Sequence, residues 1–135
     1  MTDPELVAKK LAFIETCVRD LRTLARLERI ADDLREERFV EHTLQLAIQA
    51  ALDVGSHVVS DDRLGEPETG RDVFRLLGRA GVVPVDLAGR LEQMAGFRNM
   101  VVHLYQDVDL DIVRDVVENH LGDLLDFAAA IRRSL

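Results

Sequence analysis

Val40-Glu41-His42-Thr43-Leu44-Gln45-Leu46-Ala47-Ile48-Gln49-Ala50-Ala51-Leu52-Asp53-Val54-Gly55-Ser56-His57-Val58 is the stretch on which the fold of this chain turns. Val40, Leu44, Ala47, Ala51, Val54 and Val58 recur in alternating steps of four and three. That spacing makes the seam of a long helix packed antiparallel in a bundle. Leu46, Ile48, Ala50 and Leu52 extend the apolar surface around much of the circumference, so the helix needs neighbours on several sides and belongs at the centre. It is expected over about Asp33 to Val59.

One polar stripe interrupts this helix. Gln45, Gln49, Asp53 and His57 follow one another at intervals of four and so share one narrow face. Two readings stand open. The stripe is a solvated edge carrying an Asp53–His57 pair of a few tenths of a kcal/mol, or it lines a polar cleft or dimer seam.

Helical spacing continues outward in both directions. Upstream, Val7, Leu11, Ile14, Val18, Leu21 and Ala25 repeat the same seam in a first helix from about Pro4 to Leu27. Asp3 is positioned to cap it and Pro4 suits its first turn. Cys17 lies beside that seam as a small core or boundary residue. The polar run Arg29 to Arg38 is either a turn or the solvated start of the central helix.

Downstream, Ser60 to Thr69 is a connector broken by Gly65 and Pro67. A short helix over about Gly70 to Arg79 buries Val73, Phe74 and Leu77 and ends on a left-handed Gly81. Pro84 and Asp86 open a fourth helix, expected from Val85 to Leu104, in which Gly89 and Gly96 would admit the close approach of another helix. Asp107-Val108-Asp109 reads as a turn with Asp109 as the next cap. A last helix, Leu110 to Arg132, buries Val113, Val116, Val117, Leu121, Leu124 and Ala128, with His120 at its boundary. The expected architecture is all-α: an up-and-down bundle of about five helices forming one domain over residues 1–135.

Bulk composition narrows the function. A chain of 135 residues with 47% hydrophobic and 31% charged residues can fold around one core. No apolar run is long enough to span a membrane. Met1-Thr2-Asp3-Pro4-Glu5 does not open a secretory signal, and one cysteine makes no internal disulfide. A cytoplasmic setting follows as the expectation. Acidic residues outnumber basic ones 25 to 17, for a net charge of −8. DNA binding by bulk attraction is not expected of such a chain, and any RNA contact must come from a local cluster of arginines or an assembled surface.

The rarer chemistry is concentrated in Phe97-Arg98-Asn99-Met100-Val101-Val102-His103-Leu104-Tyr105, which holds the only tyrosine. On a helix, Arg98, Asn99 and His103 share one polar flank, while Leu91, Met94 and Val101 form the buried side. Arginine holds phosphate oxygens in a two-pronged geometry. Histidine moves protons near neutral pH, and Asn99 can orient its ring or a substrate. Cleaving RNA through its own 2′-hydroxyl requires a base, an acid and positive charge at the phosphorus, and no metal or other cofactor. This segment has one histidine, so a two-fold homodimer would supply the second. The histidines at 42, 57, 103 and 120 match no zinc spacing.

Arg98-Asn99-Met100-Val101-Val102-His103-Leu104-Tyr105 resembles the Arg-x4-His-x-Tyr motif of the HepT family of HEPN-domain toxins. Pro67-Glu68-Thr69, Gly81-Val82, Met94-Ala95-Gly96-Phe97 and Asp107-Val108-Asp109 agree with the family's context, over about residues 40 to 130. The resemblance implies an RNA endonuclease toxin with Arg98 and His103 as catalytic residues and Asn99 in support. Asp53, from the polar stripe, is a further supporting candidate. The implied partner is a minimal nucleotidyltransferase antitoxin of the MntA type, which silences the toxin by AMPylating Tyr105, in a homodimer or a larger assembly with the antitoxin. The alternative is a non-catalytic HEPN module that binds nucleotide or docks a nucleotidyltransferase.

Overall fold

Asp3 accepts hydrogen bonds from the backbone N–H groups of Glu5 and Leu6 at 3.0 and 3.4 Å, and Pro4 follows where a missing N–H costs nothing. Helix α1 (Pro4–Leu24) starts there in a computed structural model that describes residues 3–103 and 109–135, and the side chains of residues 3–99 and 109–135. The remaining helices are α2 (Leu34–Asp61), α3 (Gly70–Arg79), α4 (Val85–His103), α5 (Leu110–Asn119) and α6 (Leu121–Ser134), with a short 3-10 turn at Leu27–Arg29. Among the described residues there is no strand, and no helix is long and apolar enough to cross a membrane.

The two seams meet as their spacing requires. Val7, Leu11, Ile14, Val18 and Leu21 of α1 are buried, as are Val40, Leu44, Ala47, Ala51, Val54 and Val58 of α2. Each fully buried leucine or isoleucine among them contributes about 1.5–3 kcal/mol relative to exposure. Lys10, near the start of α1, reaches Asp53, near the end of α2, which makes the pair antiparallel. Cys17 is a core residue, its thiol pushed up by burial and then by the nearby Asp20 carboxylate. Phe74 of α3 and Phe127 of α6 meet edge to face at 5.8 Å, joining the later helices to the same core.

The polar run after α1 divides into the 3-10 turn and then α2, whose cap is Asp33, accepting from Arg35 N–H at 2.9 Å. Ile30, embedded in that run, is buried and anchors the turn to the core. Helix α3 ends as expected: Gly81 takes φ +76°, and Val82 N–H returns to Leu77 C=O at 3.0 Å. This is the six-to-one bond of a Schellman cap. At that end α3 crosses close to α4, where a Cβ on Gly78 would fall 2.7 Å from the Ala88 methyl.

Two expectations change. The last helix divides at His120, whose φ of −125° and ψ of −1° leave the helical region, giving six α-helices among the described residues rather than five. The bend lets α6 lie against α1, α2 and α4 while Val113, Val116 and Val117 of α5 stay buried. The glycines of α4 do not admit a helix at both sites. Gly89 faces open space, and at Gly96 the space is filled by the Arg71 guanidinium of α3. The expected end of α4 at Leu104 and the turn at Asp107-Val108 lie outside the described residues. Asp109 caps α5 as expected, accepting from Asp111 N–H at 2.9 Å.

Helices α1 and α6 are joined at the surface by Arg132, which donates to both carboxylate oxygens of Glu15 at 2.6 and 3.0 Å. Those hydrogen bonds hold the Glu15 carboxyl below its ordinary value of 4.5, against a smaller opposing effect of burial. A depressed folded-state pKa stabilises the fold above the ordinary value, and that contribution is lost as pH falls through the folded one. Both side chains are nearly half exposed, so Glu15→Gln should lower unfolding free energy by less than about 1 kcal/mol at neutral pH. Urea titrations of the two proteins should converge as the pH falls below 4.5 and through the folded-state titration of Glu15.

Candidate active site

The polar stripe of α2, the turn leading into α3, and the C-terminal half of α4 enclose a cleft of about 320 Å³. Gln49, Asp53, Thr69, Gly70, Arg98 and Asn99 contribute its functional lining. Of the two readings of the stripe, the cleft is the one realised for Gln49 and Asp53. His57 is exposed and does not pair with Asp53. The Asp53 carboxylate instead accepts from Gln49 Nε2 at 2.8 Å and from Lys10 Nζ at 3.4 Å. Glutamine one turn earlier and a cation from α1 outcompete the imidazole one turn later. Lys10 is 43 residues away in sequence, and no local pattern signals this contact.

The turn wall is rigid for a local reason. Thr69 Oγ1 accepts from Asp72 N–H at 3.3 Å, while the Asp72 carboxylate accepts from Glu68 and Thr69 N–H at 3.0 and 3.3 Å. This reciprocal cap satisfies the first orphan donors of α3. The Glu68 N–H is the main reason the Asp72 carboxyl sits below its ordinary range, with Arg75 adding its charge. Gly70 then passes close to α2, since a Cβ there would lie 3.0 Å from Leu52.

The third wall is α4. Leu91, Met94, Ala95 and Phe97 are buried, which turns Arg98 and Asn99 toward the cleft. Arg98 Nη1 donates to Asn99 Oδ1 at 3.4 Å. Its Nε is enclosed by protein and has no hydrogen-bond partner among the described residues. The terminal nitrogens of the guanidinium are therefore the donors that an anion in the cleft can meet. Arg98 and Asp53 line the same cleft without forming an ion pair. The cleft therefore joins a cation, an amide, and a carboxylate paired with Lys10.

His103 is the last residue of α4, one turn beyond Asn99 and five residues beyond Arg98. The side chains of His103 and Val101, and all of Tyr105, lie outside the described residues.

A second groove, of about 180 Å³, runs between α4 and α5 over Met94, Phe97, Ile112 and Val116. Its charged rim is internally matched: Arg90 Nε meets Asp123 at 3.0 Å, and His120 faces Asp115 at 3.2 Å and Asp123 at 3.7 Å. His120 is the boundary histidine its position suggested. With its donors met by carboxylates, this groove offers an anion less than the cleft does.

The ribonuclease HepT-like family model matches residues 14–131. The mRNA nuclease HepT of Shewanella oneidensis is 31% identical over 129 residues, covering 95% of this chain and 97% of that one. The tRNA nuclease HepT of Aphanizomenon flos-aquae is 30% identical over 112 residues, covering 79% and 74%. Among solved structures, the tri-AMPylated HEPN toxin of Shewanella oneidensis, in complex with an MNT antitoxin, aligns with a TM-score of 0.89 at 30% identity. That alignment covers 97% of this chain and 99% of the toxin.

Proposed function

The chain belongs to the ribonuclease HepT-like family, and from that premise we propose that it is the toxin of a toxin–antitoxin pair, a metal-independent RNA endonuclease of the cytoplasm. The observation that carries this is Arg98: a guanidinium lining an open cleft, beside Asn99 and five residues before His103.

Arg98 holds the non-bridging oxygens of the scissile phosphate and stabilises the charge that grows on them. One His103 imidazole removes the proton of the 2′-hydroxyl as its oxygen attacks phosphorus. The bond from phosphorus to the 5′-oxygen breaks, and an imidazolium protonates that leaving oxygen. The products are a 2′,3′-cyclic phosphate and a free 5′-hydroxyl. Each chain has one histidine at this position, so base and acid come from two copies of the chain related by a two-fold axis. Asn99 orients substrate or ring, and Asp53 shapes the opposite wall. An MntA-type nucleotidyltransferase antitoxin silences the toxin by AMPylating Tyr105, within a dimer or a larger assembly of both proteins.

Purified protein, confirmed by mass to be unmodified at Tyr105, should cleave RNA in EDTA and leave cyclic phosphate ends. Arg98→Ala should lower the rate by about 10²–10³-fold, the usual consequence of losing a charge-stabilising donor. No cleavage, or cleavage only with an added divalent metal ion, would sink the reading.

A further inference from the structure

A local cluster of arginines is one of the two ways in which so acidic a chain can meet RNA, and one arginine is not a cluster. The close approach at Gly96 adds a second. The Arg71 side chain, from the first turn of α3, lies across the bare Cα of Gly96, so that an added Cβ would come within 2.8 Å of Cζ and 3.0 Å of Nε. Gly96 occupies a defined place on α4: three residues before Asn99 and seven before His103. Seven residues bring a helix back to within about 20° of the same direction, about 10 Å along its axis. Asn99 and the backbone of His103 thus follow Gly96, and the guanidinium seated on it, along one side of α4.

Arg71 is exposed, and among the described residues it has no carboxylate within ion-pair distance. The obvious candidate, its neighbour Asp72, is engaged by Arg75 and by the cap of α3. The adjoining residue Gly70 lines the cleft, as does Ala95, the neighbour of Gly96. Among the described residues, the guanidinium is therefore seated beside the cleft by the shape of a glycine rather than by a counter-charge.

We propose that Arg71 is a second phosphate-binding residue of the cleft, seated over Gly96 to grip an RNA backbone phosphate neighbouring the scissile one. The proposal rests on the ribonuclease reading of the cleft and specifies how the substrate strand is laid along it. Arg98 meets the reacting phosphate; Arg71 binds and positions the strand and takes no part in bond making. The glycine has a role that its helix propensity would not suggest. A methyl at position 96 would suit the helix better, yet it would displace the guanidinium.

The test uses the full chain, unmodified at Tyr105, and a fluorescent single-stranded RNA methylated at every 2′-oxygen, which binds without being cut. Anisotropy titrations over a range of salt compare wild type with Arg71→Ala, Arg71→Lys and Gly96→Ala. Arg71→Ala should bind about ten-fold more weakly, and the slope of log affinity against log salt should fall by about 0.7, the value of one single-strand phosphate contact. Arg71→Lys should keep the slope. Gly96→Ala should weaken binding without any change in net charge, and should melt at or above the wild-type temperature, which separates a lost seat from a damaged fold. Wild-type affinity and slope in Arg71→Ala would overturn the assignment while leaving the ribonuclease reading intact. Absence of RNA binding by every form, wild type included, would overturn both.

Discussion

His103→Ala should abolish RNA cleavage while leaving the bundle folded. The expected loss is at least 10²–10⁴-fold, the usual contribution of a positioned acid–base group, and larger if a dimer loses base and acid together. The residue stands at the C-terminal end of α4, on the same helix that delivers Arg98 and Asn99 to the cleft. Among the described residues, that helix is anchored in the core by Leu87, Leu91, Met94 and Phe97, upstream of His103. The helical circular dichroism spectrum of the variant should therefore match wild type. The measurement is product formation in EDTA at matched protein concentration, supported by growth of cells expressing each form. An alanine protein that cuts RNA and arrests growth like wild type would remove His103 from the mechanism. Cleavage by neither protein would instead favour the non-catalytic module that docks its partner.

Tyr105→Phe should yield a toxin that its antitoxin cannot silence. Tyr105 is the only tyrosine of the chain and lies two residues beyond His103. Transfer of an AMP unit to its phenolic oxygen adds bulk and a negatively charged phosphate beside a site built to receive one. The attached phosphate would compete with RNA for the Arg98 guanidinium and block the strand's path. Phenylalanine keeps the ring and removes the oxygen that accepts the nucleotide. Cells carrying wild type and a cognate nucleotidyltransferase should grow, and those carrying Tyr105→Phe with the same enzyme should not. Intact-mass spectra should show adenylate adducts on wild type alone. Full neutralisation of the phenylalanine protein would mean that silencing works through binding rather than modification.

Where the sequence was informative, the signals were local. The α3 segment was recognisable at both ends, because Gly65 and Pro67 break the connector before it and Gly81 after it adopts a φ that side chains resist; the reciprocal cap of Thr69 and Asp72 is what the structure adds. The seams of α1 and α2 were legible because a long helix with one apolar stripe has few ways to bury it. The division at His120 was not legible. The apolar positions from Val113 to Ala128 read as one stripe, and only the need of α6 to lie against three other helices bends it. Ile30 was hidden in a charged run for a similar reason: a single buried residue leaves no period.

The same contrast holds at the site. The sequence by itself determined the all-α class, the placing of Arg98, Asn99 and His103 on one helix, and the family to which they point, since each depends on spacing along one element or on an uninterrupted motif. Only the tertiary structure decided that Asp53 pairs with Lys10 rather than His57, that Gln49 and Asp53 face Arg98 across one cleft, and that Arg71 fills the hollow over Gly96. Those contacts join residues far apart in the chain, and side chains that meet only through packing leave no trace in the spacing of either partner.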